Sequence, residues 1–197
     1  FVEHELLAEN IGVQDQYHTA FGGLNRFDFD SKRTCISPIN MSAPCLAALT
    51  GSLFLLYTGV TRFASATLDE QMANTNSGAV DKDLSHLLTL TDQAVDVLEG
   101  GDPERMLADL GAMLREGWQT KKRLSSKVSN ASIDALYNAA LDAGALGGNL
   151  FVAGSWGFLL RPVPPDSEAG SVARWTGESH LSNGCAHSRW PSREWWY

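Results

Sequence analysis

The spacing of apolar residues predicts short strands in the first part of the chain. Residues 24–30 alternate between apolar and polar side chains, and a polar turn then leads into a second short apolar segment, a pattern typical of a β-hairpin. The apolar run Leu53–Tyr57, bounded by Gly51 and Gly59, predicts a buried strand. Between them, residues 38–52 show a mixed pattern, which we interpret as a connection and as the boundary between two lobes.

Four later segments repeat apolar residues every three or four positions, as amphipathic helices do. They lie at about 62–74, 84–98, 102–118 and 131–143. Asp102 followed by Pro103 predicts a helix start, since aspartate is favoured as N-cap and proline as the first helical residue. Residues 150–160 predict one or two further buried strands. Strand, helices and late strands together indicate an α+β fold.

The pattern divides the chain into three parts. We expect one unit in residues 1–45, a larger one in 46–165, and a divergent tail in 166–197. From about Asp166 the composition shifts to Ser, Arg, Gly, His and Trp, and the periodicity ends. We interpret this tail as frame-shifted, disordered or peripheral to the core.

Composition narrows the functional class. With 44% hydrophobic residues the chain can bury a core, and its net charge of −8 argues against a nucleic-acid partner and against a polybasic membrane patch. The three cysteines are widely spaced and form no CxxC, so they indicate neither a zinc site nor a disulfide framework. With no signal peptide visible, unpaired thiols predict a cytoplasmic protein.

The first candidate for chemistry is Asp15, which lies between Gln14 and Gln16 just after Gly12. Glycine permits a close turn of the backbone, and a carboxylate is favoured at the helix start that follows. An acceptor held rigidly at an open helix end is suited to removing a proton from a hydroxyl. The alternative is that Asp15 serves only as an N-cap.

A resemblance favours the first of these readings. The segments that carry it are Glu3 with 12–16 (GVQDQ), 20–25 (AFGGLN), 56–65 (LYTGVTRFAS), 117–122 (GWQTKK) with Ser129-Asn130, and 144–150 (GALGGNL). In this order, over roughly residues 1–165, the chain resembles the GHMP sugar kinases. The resemblance implies an α+β fold in which the end of the GHMP N-terminal lobe precedes a ferredoxin-like C-terminal lobe.

By resemblance, the protein uses ATP and Mg²⁺ to phosphorylate a sugar or sugar phosphate at its anomeric hydroxyl. The expected acceptor is D-glycero-D-manno-heptose 7-phosphate. Asp15 matches the catalytic aspartate of the family, and Glu3 matches a carboxylate that serves Mg²⁺. Gln14 and Gln16, which flank Asp15, are predicted to contact the sugar.

Residues in two further segments of the chain are candidates for binding the substrate. Thr58-Gly59 follows the predicted buried strand, and Arg62 opens the next helix, where it would meet an anion bidentately. Lys121 lies one turn after Trp118 and would face a phosphate. The alternatives are a solvated surface arginine and a lysine that complements the helix dipole.

The glycines Gly144, Gly147, Gly148 and Gly154 match the third family motif and are predicted to contact the nucleotide. The chain departs from that motif at Asn149, where the family has lysine, and at Trp156, which stands in the glycine run. The family's phosphate loop is missing, so we expect the chain as given to be a fragment that is inactive alone. The alternatives are another sugar 1-kinase of the fucokinase or galactokinase type, or a non-catalytic binding or regulatory relative.

Overall fold

A computed structural model describes residues 12–30, 32–57, 64–150, 156–160 and 187–189. The elements in this part of the chain are, in order, α1 (Gln14–Phe21), β1 (Asn25–Phe29), β2 (Thr34–Pro38), α2 (Ala43–Ser52), β3 (Leu53–Tyr57), α3 (Ala64–Asn76), α4 (Asp81–Glu99), α5 (Pro103–Leu124), α6 (Ala131–Asp142), β4 (Gly147–Leu150), β5 (Trp156–Leu160) and β6 (His187–Arg189). Among these helices, none has the length and hydrophobicity that a membrane crossing requires.

The strands form two antiparallel sheets. β1 and β2 make the predicted hairpin, with Asn25 opposite Pro38 and Phe29 opposite Thr34. The second sheet has the order β4-β5-β3-β6, and all its described pairs are antiparallel. The helices α3–α6 lie in one run of the chain between β3 and β4, and helices segregated from an antiparallel sheet characterise an α+β protein, so the predicted fold class is confirmed.

Side-chain caps explain where α5 and α6 begin. Asp102 accepts the backbone N–H of Arg105 at 2.8 Å, and proline occupies the first turn of α5, as the sequence predicts. Asn130 accepts the N–H of Ile133 at 2.9 Å at the start of α6. Each cap satisfies a backbone donor that has no partner within its own helix.

The prediction of an irregular connection over residues 38–52 is wrong, because most of this segment forms α2. Ser42 caps the helix by accepting the N–H of Cys45 at 3.4 Å, and Pro44 lies in the first turn. Burial follows the helical period, since Cys45, Leu49 and Ser52 are the buried residues, but the sequence shows no amphipathic pattern because exposed positions such as Leu46 are apolar as well. Ser42 followed by Pro44 is the local signal for the start of this helix.

α5 is the centre of the core. Its first half contributes to a cluster with α2 and α4 that consists of the buried Cys45, Leu49, Leu98, Met106 and Leu107. Its second half contributes Trp118 to a cluster with Val128 and Ile133. The apolar stripe predicted along this helix is therefore confirmed where its members are buried.

α5 also packs closely against β4. A Cβ atom on Gly111 would overlap the side chain of Leu146, and one on Gly147 would overlap the carbonyl oxygen of Gly111. The helix and the strand therefore approach with backbone nearly against backbone, which only glycine permits. This contact fixes the position of β4 along the axis of α5.

The last sheet strand comes from the tail. His187–Arg189 form β6, which pairs with Phe54–Leu56 of β3. The expectation that residues 166–197 form a divergent tail outside the core stays a prediction, and these three residues pair at the edge of the sheet. The late-strand prediction for 150–160 is confirmed for β5, whereas β4 begins earlier, inside the glycine segment.

Candidate functional site

Asp15 is the second residue of α1 and is exposed to solvent. The helix begins at Gln14, and the residue in the N-cap position is Val13, which makes no capping side-chain bond. The alternative that Asp15 is only an N-cap is therefore wrong. A carboxylate in the first turn is stabilised by the helix dipole while its oxygens stay available to a ligand.

Aromatic contacts hold α1 on the hairpin. The ring of Tyr17 meets those of Phe27 and Phe29 edge-on, with centroids 6.1 and 5.2 Å apart. The His18 ring lies 4.4 Å from that of Phe27, and the Tyr17 hydroxyl accepts a hydrogen bond from Thr34 at 3.3 Å. These contacts determine the direction in which the first turn of α1, and hence Asp15, faces.

An ion-pair network joins the hairpin to α4. Arg26 on β1 contacts Asp28 at 2.7 Å and Asp92 of α4 at 2.6 Å. Hydrogen bonds to these two carboxylates raise the pKa of the Arg26 guanidinium above its ordinary value. Because α1 rests on the hairpin, this link also holds α1 relative to the helical core.

Gln14 and Asp15 occupy different sides of α1. Gln14 lines a cavity of about 240 Å³ between α1, the hairpin and α4, together with His18 and Arg26. Asp15 is not among the residues that line this cavity. Successive residues project about 100° apart around a helix, so one ligand in this cavity would meet Gln14 but not Asp15.

Lys121 brings the second half of the chain to Asp15. Burial lowers the pKa of the Lys121 ammonium below its ordinary 10.5, and the Asp15 carboxylate acts on it in the opposite direction. The ammonium donates a hydrogen bond to Oδ1 of Asn149 on β4 at 3.3 Å. The structure thus brings Asp15, Lys121 and Asn149, which are far apart in sequence, into one neighbourhood.

The adjacent lysine faces another way. Nζ of Lys122 lies 3.3 Å from a carboxylate oxygen of Asp134 on α6 and 6.0 Å from the centre of the Trp118 ring. The same Asp134 oxygen accepts a hydrogen bond from Ser129 at 2.9 Å. Lys122 therefore belongs to the contact between α5 and α6, whereas Lys121 belongs to the neighbourhood of Asp15.

The described glycines of the third motif have structural roles. Gly144 follows α6 with a φ of 94°, and its N–H donates to Leu141 at 2.9 Å, while the N–H of Ala145 donates to Ala140 at 3.0 Å. This is the Schellman arrangement that ends a helix. Gly147 allows the close approach to α5, and Gly148 pairs with β5. Their contact with a nucleotide stays a prediction.

Of the other predicted site residues, the structure describes Gln16. Gln16 is exposed on α1. The remaining candidates, which fall outside the described residues, are Glu3, Thr58, Gly59, Arg62 and Gly154. Within the described residues, no three His, Cys, Asp or Glu side chains gather into a group that would hold a metal ion. Mg²⁺ binding stays a prediction, since Mg²⁺ needs only one or two carboxylates beside phosphate oxygens and water.

The contact of Asn149 is one that the sequence does not predict. The sequence marks Asn149 only as a departure from the family pattern, and the structure makes it a partner of Lys121. Its contact with a residue 28 positions earlier depends on the packing of β4 against α5.

No protein-family profile matches the chain. One curated relative, the D-glycero-alpha-D-manno-heptose 7-phosphate kinase of Campylobacter jejuni, is 29% identical over 168 residues. The match covers 83% of this chain and 48% of the relative. The chain thus spans about half the length of the curated relative that it matches.

Solved structures agree on the fold. L. major mevalonate kinase in complex with R-mevalonate superposes with a TM-score of 0.64 at 16% identity, covering 90% of this chain and 52% of the kinase. Lactococcus lactis galactokinase with galactose gives a TM-score of 0.62 at 14% identity, covering 94% and 55%. The resemblance to the GHMP sugar kinases is therefore confirmed, and the chain has the α+β fold of about half of a GHMP kinase.

Proposed function

We propose that this chain is part of a GHMP-type sugar kinase that transfers the γ-phosphoryl group of ATP to the anomeric hydroxyl of a sugar phosphate. The observation that carries the proposal is the exposed Asp15 carboxylate at an open helix start, within electrostatic reach of the Lys121 ammonium. The similarity to a heptose 7-phosphate kinase supports D-glycero-D-manno-heptose 7-phosphate as the acceptor.

In this proposal Asp15 orients the acceptor hydroxyl and takes its proton as the hydroxyl oxygen bonds to the γ-phosphorus. The bond between that phosphorus and the bridging oxygen breaks, and ADP leaves. Phosphoryl transfer depends mainly on positioning and on charge stabilisation. Lys121 would offset the negative charge that gathers at Asp15 and the phosphates.

The test compares three proteins: the chain alone, a chimera in which the uncovered part of the Campylobacter jejuni relative is joined to it, and the Asp15→Asn chimera. We expect no product from the isolated chain, because most of the phosphate cradle would lie outside it. The chimera should phosphorylate the heptose phosphate. Asp15→Asn should lower kcat by about 10²–10⁴-fold, the usual range for a general base.

Asp81→Asn is the matched control, because Asp81 is an exposed acidic residue in the first turn of α4. It should leave kcat unchanged. Normal turnover by Asp15→Asn would show that Asp15 is not the base. A chimera that unfolds cooperatively but phosphorylates no sugar or sugar phosphate would favour a non-catalytic relative.

A further inference from the structure

The helix α1 and the hairpin β1–β2 pack on each other and form what we call the α1–hairpin unit, residues 12–30 and 32–39. None of these described residues is buried. A cavity of about 240 Å³ lies between the unit and α4. Close packing normally fixes how two elements sit against each other, so the cavity leaves the position of the unit over α4 to other contacts.

One attachment lies at the open end of the hairpin. The backbone N–H of Asn40 donates to Oε1 of Glu99, the last residue of α4, at 2.8 Å. Leu24 and Ile39, which flank the hairpin, pack against the core cluster that contains Leu98. These contacts hold the open end of the hairpin, and on their own they would allow the rest of the unit to pivot about that end.

A second attachment lies further along α4. Nη1 of Arg26 on β1 is 2.6 Å from Oδ1 of Asp92. Asp92 precedes Glu99 by seven residues, which is close to two helical turns. The two carboxylates therefore lie on the same face of α4, about 10 Å apart along its axis. Two attachments at separate points prevent the pivoting that one alone would allow.

Asp28 orients the arginine for this contact. Nε of Arg26 donates to the two carboxylate oxygens of Asp28 at 2.9 and 3.0 Å, and Nη2 donates at 2.7 Å. The guanidinium is a planar, rigid fork, so holding two of its nitrogens also sets the direction of the third. The two residues lie on the same face of β1, because side chains alternate along a strand. Arg26 thus reaches Asp92 from a fixed position.

We propose that Arg26 is a positioning residue for the reaction: oriented by Asp28, it holds the α1–hairpin unit against Asp92 and so fixes where the Asp15 carboxylate lies over the helical core. The inference rests on the proposed kinase function and adds a residue that touches neither reactant. A partly exposed ion pair stabilises a fold only slightly. Its effect here is geometric, since a misplacement of about 1 Å can lower a rate about 100-fold.

The position of the unit is measured without turnover, as the distance between two spin labels on the 197-residue chain. One label is attached to the exposed Cys35 of β2, and the other to the thiol that Ala108→Cys introduces on the exposed side of α5. Cys45 is fully buried, and Cys185→Ser removes the remaining thiol. We expect a narrow distance distribution that Arg26→Met broadens or displaces. An unchanged distribution in Arg26→Met would overturn the inference.

A double-mutant cycle in the chimera tests the consequence for catalysis. Arg26→Met and Asp92→Ala should each lower kcat about 10- to 100-fold and leave KM for both reactants unchanged, because the base is displaced while the binding groups remain. The double variant should be no slower than the slower single variant, since both changes remove the same contact. Additive losses, or a rise in KM at unchanged kcat, would contradict the positioning role.

Arg123→Met is the matched control, because it also removes an arginine that contacts an aspartate of α4. Nε of Arg123 lies 2.7 Å from Asp83, but this pair joins α4 to α5 and not to the α1–hairpin unit. Both the label distance and kcat should stay unchanged. Equal effects of Arg123→Met and Arg26→Met would overturn the inference. A chimera that turns over no sugar, while Arg26→Met still broadens the distance distribution, would contradict the kinase proposal alone.

Discussion

The contact of α5 with β4 predicts that Gly111→Ala destabilises the protein, although alanine ordinarily favours a helix. In an open helix interior this change stabilises by about 0.8–1 kcal/mol. At Gly111, however, the new Cβ would overlap the side chain of Leu146 and lie 3.2 Å from the Leu146 carbonyl carbon and oxygen. The overlapping atom of Leu146 is its Cβ, which a change of side-chain rotamer does not move. The helix and the strand must therefore separate.

Overpacking of a well-packed contact costs about 1–3 kcal/mol, and a contact with backbone atoms belongs at the upper end. After the helix-propensity gain is subtracted, we expect Gly111→Ala to lower the free energy of unfolding by about 2 kcal/mol. For a protein of this size that corresponds to a Tm lower by roughly 4–8 °C. Urea and thermal unfolding followed by circular dichroism measure both quantities.

Gly117→Ala is the control on the same helix. Its Cβ would meet only Leu90 at 3.8 Å and Leu87 at 4.0 Å, which are ordinary van der Waals distances. We expect this variant to gain up to about 1 kcal/mol. If Gly111→Ala were as stable as Gly117→Ala, the close approach of α5 and β4 would be refuted.

Three other changes test separate contacts. Glu70 accepts the N–H and the hydroxyl of Ser126 at 2.8 and 3.1 Å, and these bonds lower its pKa below the ordinary 4.5. The ionised Glu70 side chain therefore stabilises the folded state above pH 4.5, and this stabilisation is lost as the pH falls through the lowered pKa. The difference in free energy of unfolding between wild type and Glu70→Gln should accordingly shrink on acidification, as urea unfolding at a series of pH values would measure. Asp102→Ala should cost about 1 kcal/mol in the same assay, since it removes the cap of α5; an unchanged midpoint would contradict that role. Tyr137→Phe should change the free energy of unfolding by less than about 1 kcal/mol at pH 7, because the buried hydroxyl makes no well-formed hydrogen bond to the described residues, although it lies near the backbone of Gly148. Burial raises the pKa of Tyr137 above 10.0, so above pH 10.0 the unfolded chain loses this proton more readily than the folded one, and the wild type is destabilised. Tyr137→Phe has no such proton and should keep this part of its stability in urea unfolding above pH 10.0.

Local signals in the sequence were sufficient for most elements. The alternation at 24–30 gave the hairpin, and Asp102-Pro103 gave the start of α5, because turns and caps depend on residues only a few positions apart. The helix α2 is not predicted, since apolar residues lie on its exposed face as well as on its buried one and hide the helical period. The edge strand β6 was missed for a related reason: a three-residue strand is specified by its partner β3 more than by its own sequence.

The candidate site divides in the same way. Asp15 is a candidate from its surroundings in the chain together with the family resemblance, because a carboxylate beside a glycine and before a helix is a local feature. Two adjacent lysines do not reveal that the pKa of Lys121 is influenced by the Asp15 carboxylate while Lys122 pairs with Asp134. The hydrogen bond of Asn149 to Lys121 depends on the position of β4 along the axis of α5, which the packing of Gly111 and Gly147 sets. Sequence determines local conformation through short-range sterics and hydrogen bonds, whereas only tertiary packing decides which distant side chains meet.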